Sequence, residues 1–215
     1  MKHCWSIALV VALLSSSAAG ADPLPTHQLP MYGERTKTAE MKKADAVLID
    51  AIEKQGLSHQ EAAARAIQTG WSYWRKNDLV TAISRFNQGW LFDPENGDAY
   101  HGFALVTSAR GGAPSEVERF FLMAVSKSNI SPEVFVDYGY FLWKQKQLEK
   151  SLVQLNKALA LSSTAHNARS NIALVHYLKK DMASACTWAK AAQKNGDQLE
   201  KGFLEDMCSK AAQGS

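Results

Sequence analysis

An all-α fold, a solenoid of stacked helix pairs, is what this sequence predicts, and three observations carry it. Strand signals are missing, since no stretch sustains apolar–polar alternation and β-branched runs are few beyond the first residues. The stretch RFNQGWLFDPENGDAY, residues 85–100, stops one helix at Asp93-Pro94 and starts another. Proline cannot continue a helix and restricts the residue before it. The small-plus-aromatic seam of this stretch then recurs along the chain. With 215 residues, 46% hydrophobic and 21% charged, the chain suffices for one domain with a core or for a short array of repeats. The formal charge of +3, with no basic run longer than pairs such as Lys42-Lys43 and Lys179-Lys180, gives no argument for nucleic acid.

The first residues, MKHCWSIALVVALLSSSAAGADPLP, stand apart. One Lys precedes an apolar run from Ile7 to Leu14, followed by small residues that end in Ala19-Gly20-Ala21. That order is a secretory leader over residues 1–21, with cleavage after Ala21, and the apolar run is too short to span a bilayer. Cys4 lies ahead of the apolar run and so is not placed as a lipoprotein acylation site. The expectation is a periplasmic or secreted protein with no stable membrane insertion after cleavage.

The helix pairs fall into register from Ala63. A unit starting there places Gly70, Tyr73, Ala82, Phe86, Gly89 and Pro94 at its eighth, eleventh, twentieth, twenty-fourth, twenty-seventh and thirty-second positions. Further units start at Gly97, Pro132 and His166, a period of about 34 residues. They bring Phe103, Ala104, Phe121 and Ala124, then Gly139, Leu142, Ser151, Leu155 and Ala158, then Ala173, Ala185, Ala189 and Ala192 into phase. The second unit carries one extra residue in its turn, ARGGAPSE, and Val117 there is bulkier than the small residue wanted at a helix crossing, so that pair is expected to splay or shift. These residues over about 59–197 resemble the tetratricopeptide repeat (TPR), whose unit is two antiparallel helices crossing on small side chains. The flanking LPMYGERTKTAEMKKAD and the seam itself resemble small exported TPR proteins of Gram-negative bacteria.

The predicted organisation is therefore a leader over 1–21, an extended or mobile arm over 22–37, a capping helix over 38–57, the solenoid over 58–197, and a C-terminal capping helix and tail over 198–215. Met41, Ala44, Val47, Leu48 and Ile52 share one face of the first cap, which ends at Gly56. Ser58 and Glu61 form a capping box for the next helix. Leu199, Phe203 and Met207 are available to cover the last repeat, as an open-ended solenoid requires. In the repeat register Cys186 and Cys208 lie level on antiparallel helices, giving either a disulfide or two buried thiols.

Motifs for catalysis are missing: no H-x-x-x-H, C-x-x-C, G-x-S-x-G or Gly-rich phosphate loop occurs, and the histidines are scattered. The expectation is no enzyme, no cofactor and no metal. The resemblance implies instead that the first helix of each unit lines a concave groove. Carried onto this chain, the family's groove positions give Ile67, Trp71, Trp74 and Arg75, then His101 and Leu105, then Tyr140, Trp143 and Lys144, then Leu174 and Tyr177. Trp and Tyr make rigid recognition anchors, and Arg75 and Lys144 are candidate donors. The Lys and Asn that chaperone-binding members carry in the first repeat are replaced by Ile67 and Trp71, and the Lys and Arg of the third by Val136 and Tyr140, which favours a hydrophobic or aromatic segment over an acidic tail. The expected partner is thus a protein or peptide. Three alternatives stay open: a groove filled by the arm or first helix, aromatics that are simply core, and an assembly subunit or homo-oligomer using its outer faces.

Overall fold

The computed structural model describes residues 24–127 and 129–213, so the expected leader lies outside the described residues. Among the described residues there are ten α-helices: α1 Ala39–Lys54, α2 His59–Arg75, α3 Leu79–Phe92, α4 Gly97–Ala109, α5 Pro114–Val125, α6 Pro132–Lys144, α7 Leu148–Leu161, α8 Ala168–Leu178, α9 Met182–Asn195 and α10 Phe203–Gln213. Helices α2 to α9 form four antiparallel pairs; α4 and α6 begin at Gly97 and Pro132, whereas α2 begins at His59, ahead of the expected start at Ala63, and α8 at Ala168, after His166.

Local chemistry sets each boundary. The Ser58–Glu61 capping box opens α2, with the Glu61 backbone N–H donating to Ser58 Oγ and the Glu61 carboxylate accepting from Ser58 N–H. Asp78 and Asp181 play the capping part at α3 and α9, accepting from the N–H groups of Thr81 and Ser184. Between the two helices of every unit one residue takes the left-handed conformation: Asn77, Gly111, Lys146 and Lys180, with φ of 58°, 74°, 61° and 63°. All four occupy the fifteenth position of their unit, so the turn repeats even where its residue type does not. The extra residue of the second unit follows Gly111 and leaves the register intact.

The helices cross on small side chains. Ala82, Ala104, Ser151, Ala158, Ala173, Ala185 and Ala189 are fully buried, and Ser151 Oγ donates to the Gly139 carbonyl across the α6–α7 crossing at 2.7 Å. Phe86 of α3 is the deepest wedge. Its ring lies where a Cβ on Gly70 of α2 would come within 2.7 Å and a Cβ on Gly102 of α4 within 2.5 Å. One aromatic ring therefore joins the first pair internally and also joins it to the second. Val117 is 2% exposed and shares a core with Ala104, so the second pair packs closed rather than splaying.

Both caps form. Helix α1 packs Ile52, Leu48 and Ile49 against Ala62, Ala63 and Phe92. At the other end α10 inserts Met207 among Ala173, Ala185 and Ala189, supplying bulk that the alanine-rich fourth pair lacks. A disulfide between Cys186 and Cys208 fastens α10 to α9, which decides between the two sequence readings of these residues.

The arm departs from its expectation. Residues 24–37 are neither extended nor loose, but form two 3-10 turns, Thr26–Gln28 and Pro30–Glu34, packed against α3. The second turn is left-handed through Met31, Tyr32 and Gly33. Hydrogen bonds to the arm's main chain fix it: Asn87 donates to the His27 and Leu29 carbonyls, and Arg110 donates to that of Gln28. Met31 enters the core, Tyr32 meets Trp90, Lys37 lies over both rings, and Glu34 pairs with Arg119. Sequence periodicity could not show this, because the recognition runs through main-chain carbonyls.

Two outcomes test the packing. Gly102→Ala drives a methyl into the Phe86 ring and should lower unfolding free energy by about 1–3 kcal/mol, read as a shift of the urea midpoint, whereas Gly56→Ala, with open space around it, loses only what its left-handed backbone costs. Replacing Cys186 and Cys208 by Ser should cost about 2–4 kcal/mol and raise amide exchange in α10 before that in α4.

Candidate functional site

The first helices of the pairs face one another along one side of the molecule. Helix α2 packs on α4, and α6 on α8. Between α4 and α6 the side chains bridge instead. Asp98 accepts from the Ser131 N–H and hydroxyl at 3.0 and 2.9 Å, and His101 Nε2 hydrogen-bonds Asp137 Oδ2 at 2.8 Å. A pocket of 250 Å³ opens between α4, α5 and α6, walled by Leu105, Val117, Phe121 and Phe141.

Beyond it, across α6 and α8, lies a larger cleft of about 1030 Å³. Its far wall is the segment from Asp197 to Glu200, which folds back from the end of α9. The buried carboxylate of Asp197 anchors this segment by accepting from the N–H groups of Arg169 and Ser170 at 3.1 and 3.3 Å. Asn167, the residue before α8, is left-handed and offers no side-chain cap of its own, so a residue thirty positions away in the chain caps α8. Asn167 in turn accepts from the Gln198 N–H. Tyr140 stands between the two cavities and, with Asp137, lines both. It is 45% exposed, meets the Trp143 ring edge-on at 5.1 Å, and has the Lys144 ammonium over its face.

Comparison with known proteins follows from this geometry. No protein-family model matches the chain, and no curated protein matches it. Solved structures do. PilF of Pseudomonas aeruginosa superposes with a TM-score of 0.65 at 21% identity, covering 73% of this chain and 72% of that one. PilW, described as a widely conserved type IV pilus biogenesis factor, gives 0.55 at 19% identity over 80% of this chain and 78% of its own. YrrB, described as a TPR protein with an unusual peptide-binding site, gives 0.51 at 20% identity over 69% and 74%. This chain has the fold of a TPR solenoid.

In the TPR frame the predicted groove residues divide. Leu105, Tyr140 and Lys144 line the α4–α6 pocket, and Trp143 and Leu174 line a further cavity of about 290 Å³ between α6, α8 and Phe203 of α10. Ile67 does not reach it: it is 4% exposed and packs where Gly89 leaves room. His101 is 3% exposed, held between the rings of Trp71 and Phe121 and by Asp137. Trp71 is half-buried with its ring 4.8 Å from Phe86, and Trp74 packs on the same core. Tyr177 is covered by α10, its hydroxyl accepting from Lys210 and its ring against Phe203. Arg75 is exposed, and none of the cavities described here includes it. Arg75 apart, the physical reason is common to these cases. Family positions give the face of a helix, but which neighbour closes over that face depends on packing between units.

Sequence reasoning missed Asp137 and the wall from Asp197 to Glu200. Asp137 was detectable, because Glu133, Asp137, Tyr140 and Lys144 follow the four-three-four spacing of one helical face. The folded-back wall carried no periodic signal. Among the described residues no helix is long and apolar enough to cross a membrane.

Asp197→Ala should leave the N-terminus of α8 uncapped and cost about 1–2 kcal/mol. Faster amide exchange at Arg169 and Ser170, with unchanged exchange in α2, is the expected signature.

Proposed function

We propose that this TPR solenoid is an exported scaffold that binds a protein or peptide segment in its concave groove and catalyses no reaction. The observation that carries the reading is Tyr140, a large, half-exposed aromatic side chain placed between two cavities and backed by Trp143. Core packing gives no reason for such a ring at that place, whereas recognition surfaces favour it. The arm supports the same reading. Residues 24–37 lie against the second helices α3 and α5 and line none of the cavities described above, which favours a groove that they leave free. Export is supported by the leader-like N-terminus and by a disulfide, which persists in oxidising compartments. The likeness to PilW, a pilus biogenesis factor, suits an envelope setting, and YrrB shows the fold carrying a peptide-binding site.

A second reading draws on the outer faces. Leu122 of α5 and Val153 and Leu161 of α7 are more than half exposed, as expected of a subunit in an envelope complex or a homo-oligomer. Affinity capture from periplasmic extract separates the two. Tyr140→Ala with Lys144→Ala should reduce retention of the captured protein at least tenfold while circular dichroism stays unchanged. Retention that persists in this variant but fails in Leu122→Ser with Val153→Ser would transfer the site to the outer face. Trp71 is unsuited to this test, since its ring contacts Phe86 and its loss confounds folding with binding.

A further inference from the structure

The two cavities that meet at Tyr140 differ in chemistry, and the difference specifies an occupant. The smaller, between α4 and α6, has 250 Å³ and walls of Leu105, Val117, Phe121 and Phe141. An apolar cavity of about 150 Å³ already accommodates benzene, so this one takes a whole leucine or phenylalanine side chain. The larger is lined by the carboxylates of Glu133, Asp137, Asp197 and Glu200, and by no Lys or Arg. This is an inversion of the chain as a whole, whose formal charge is +3. The four acids are not equally available. Asp197 is spent on the α8 cap and Asp137 holds His101, while Glu133 and Glu200 are exposed and stand in no ion pair with another described side chain. Two unpaired carboxylates thus flank one cleft, and an apolar socket adjoins it across a shared tyrosine.

We infer that the groove, if it is the binding site proposed above, selects a protein segment carrying one large apolar side chain and, a few residues away, a lysine or arginine. The apolar side chain fills the α4–α6 socket, the chain passes over Tyr140, and the cation sits between Glu133 and Glu200. Like charges brought to this cleft are repelled, so the acids also discriminate against acidic segments.

Fluorescence polarisation with labelled, acetylated nine-residue peptides tests this on the mature protein. One peptide carries two Leu and two Lys in a Gly/Ser background, the second two Leu and two Glu, the third two Leu alone, and the fourth two Lys alone. The Leu/Lys peptide should bind at least tenfold more tightly than any other, and should weaken as salt rises from 50 to 500 mM. Glu133→Gln with Glu200→Gln should bring it down to the affinity of the Leu-only peptide and leave that peptide unchanged. Ser108→Trp, at an exposed position on the socket's rim, should weaken both Leu-containing peptides and spare the Lys-only one. Equal binding of the Leu/Lys and Leu/Glu peptides, lost in Tyr140→Ala, would overturn the charge assignment and leave the groove standing. Binding of no peptide would overturn the assignment and the groove reading together.

Discussion

The structure depends on one close contact, the ring of Phe86 lodged between two glycine-bearing helices. In an isolated helix pair an aromatic side chain at this position would only close its own hairpin. Here Gly70 and Gly102 both lack the methyl that would exclude the ring, so the same side chain sets the distance within the first pair and between the first pair and the second. Trp71 and His101 then gather on the groove side of that contact. The position of α4, and with it one wall of the α4–α6 socket, is inherited from a ring buried well away from the concave surface.

Later units solve the same crossing with less bulk. The third uses Leu155 against Gly139, with Ser151 adding a hydrogen bond to the Gly139 carbonyl. The fourth crosses on Ala173, Ala185 and Ala189, with Tyr177 and Trp188 packed at the edge, and borrows Met207 from outside the repeat. The solenoid therefore relies increasingly on its C-terminal cap, which explains why the covalent link sits at that end. At the N-terminal end the equivalent reinforcement is polar, with Asn87 and Arg110 holding the arm by its carbonyl groups across the first two units.

How much of this was legible in the sequence follows from what each feature rests on. Helices, turns and unit boundaries depend on local spacing, so Gly70, Phe86, Ser58–Glu61 and the unit starts were readable, as was the pairing option for Cys186 and Cys208. Of the eleven residues expected on a concave face, five line cavities between the helices. Among the others, exposed Arg75 apart, relations between distant segments decide the placement. Ile67 and His101 are sealed by neighbouring units, and Tyr177 is covered by a helix that follows the repeat. The arm was misjudged because three prolines and weak periodicity suggest freedom, whereas side chains elsewhere grip its main chain. Asp137 belonged to a legible stripe, and a carboxylate partner for His101 across the groove was conceivable from the sequence, but which acid it would be was not.

The end of the array is closed in a way that bears on how the molecule arose. A repeat protein ordinarily grows or shrinks by duplicating or deleting whole units, each presenting the same surface to the next. Here the surface that a fifth unit would occupy is taken by α10, and the amides at the start of α8 already belong to Asp197. Adding a unit after α9 would separate Cys208 from Cys186, withdraw Met207 from the alanine crossing and remove a wall of the acidic cleft in one step. Length and closure at this end are thus tied together, and α1 with the arm gripped by Asn87 and Arg110 places the same constraint on adding a unit before α2.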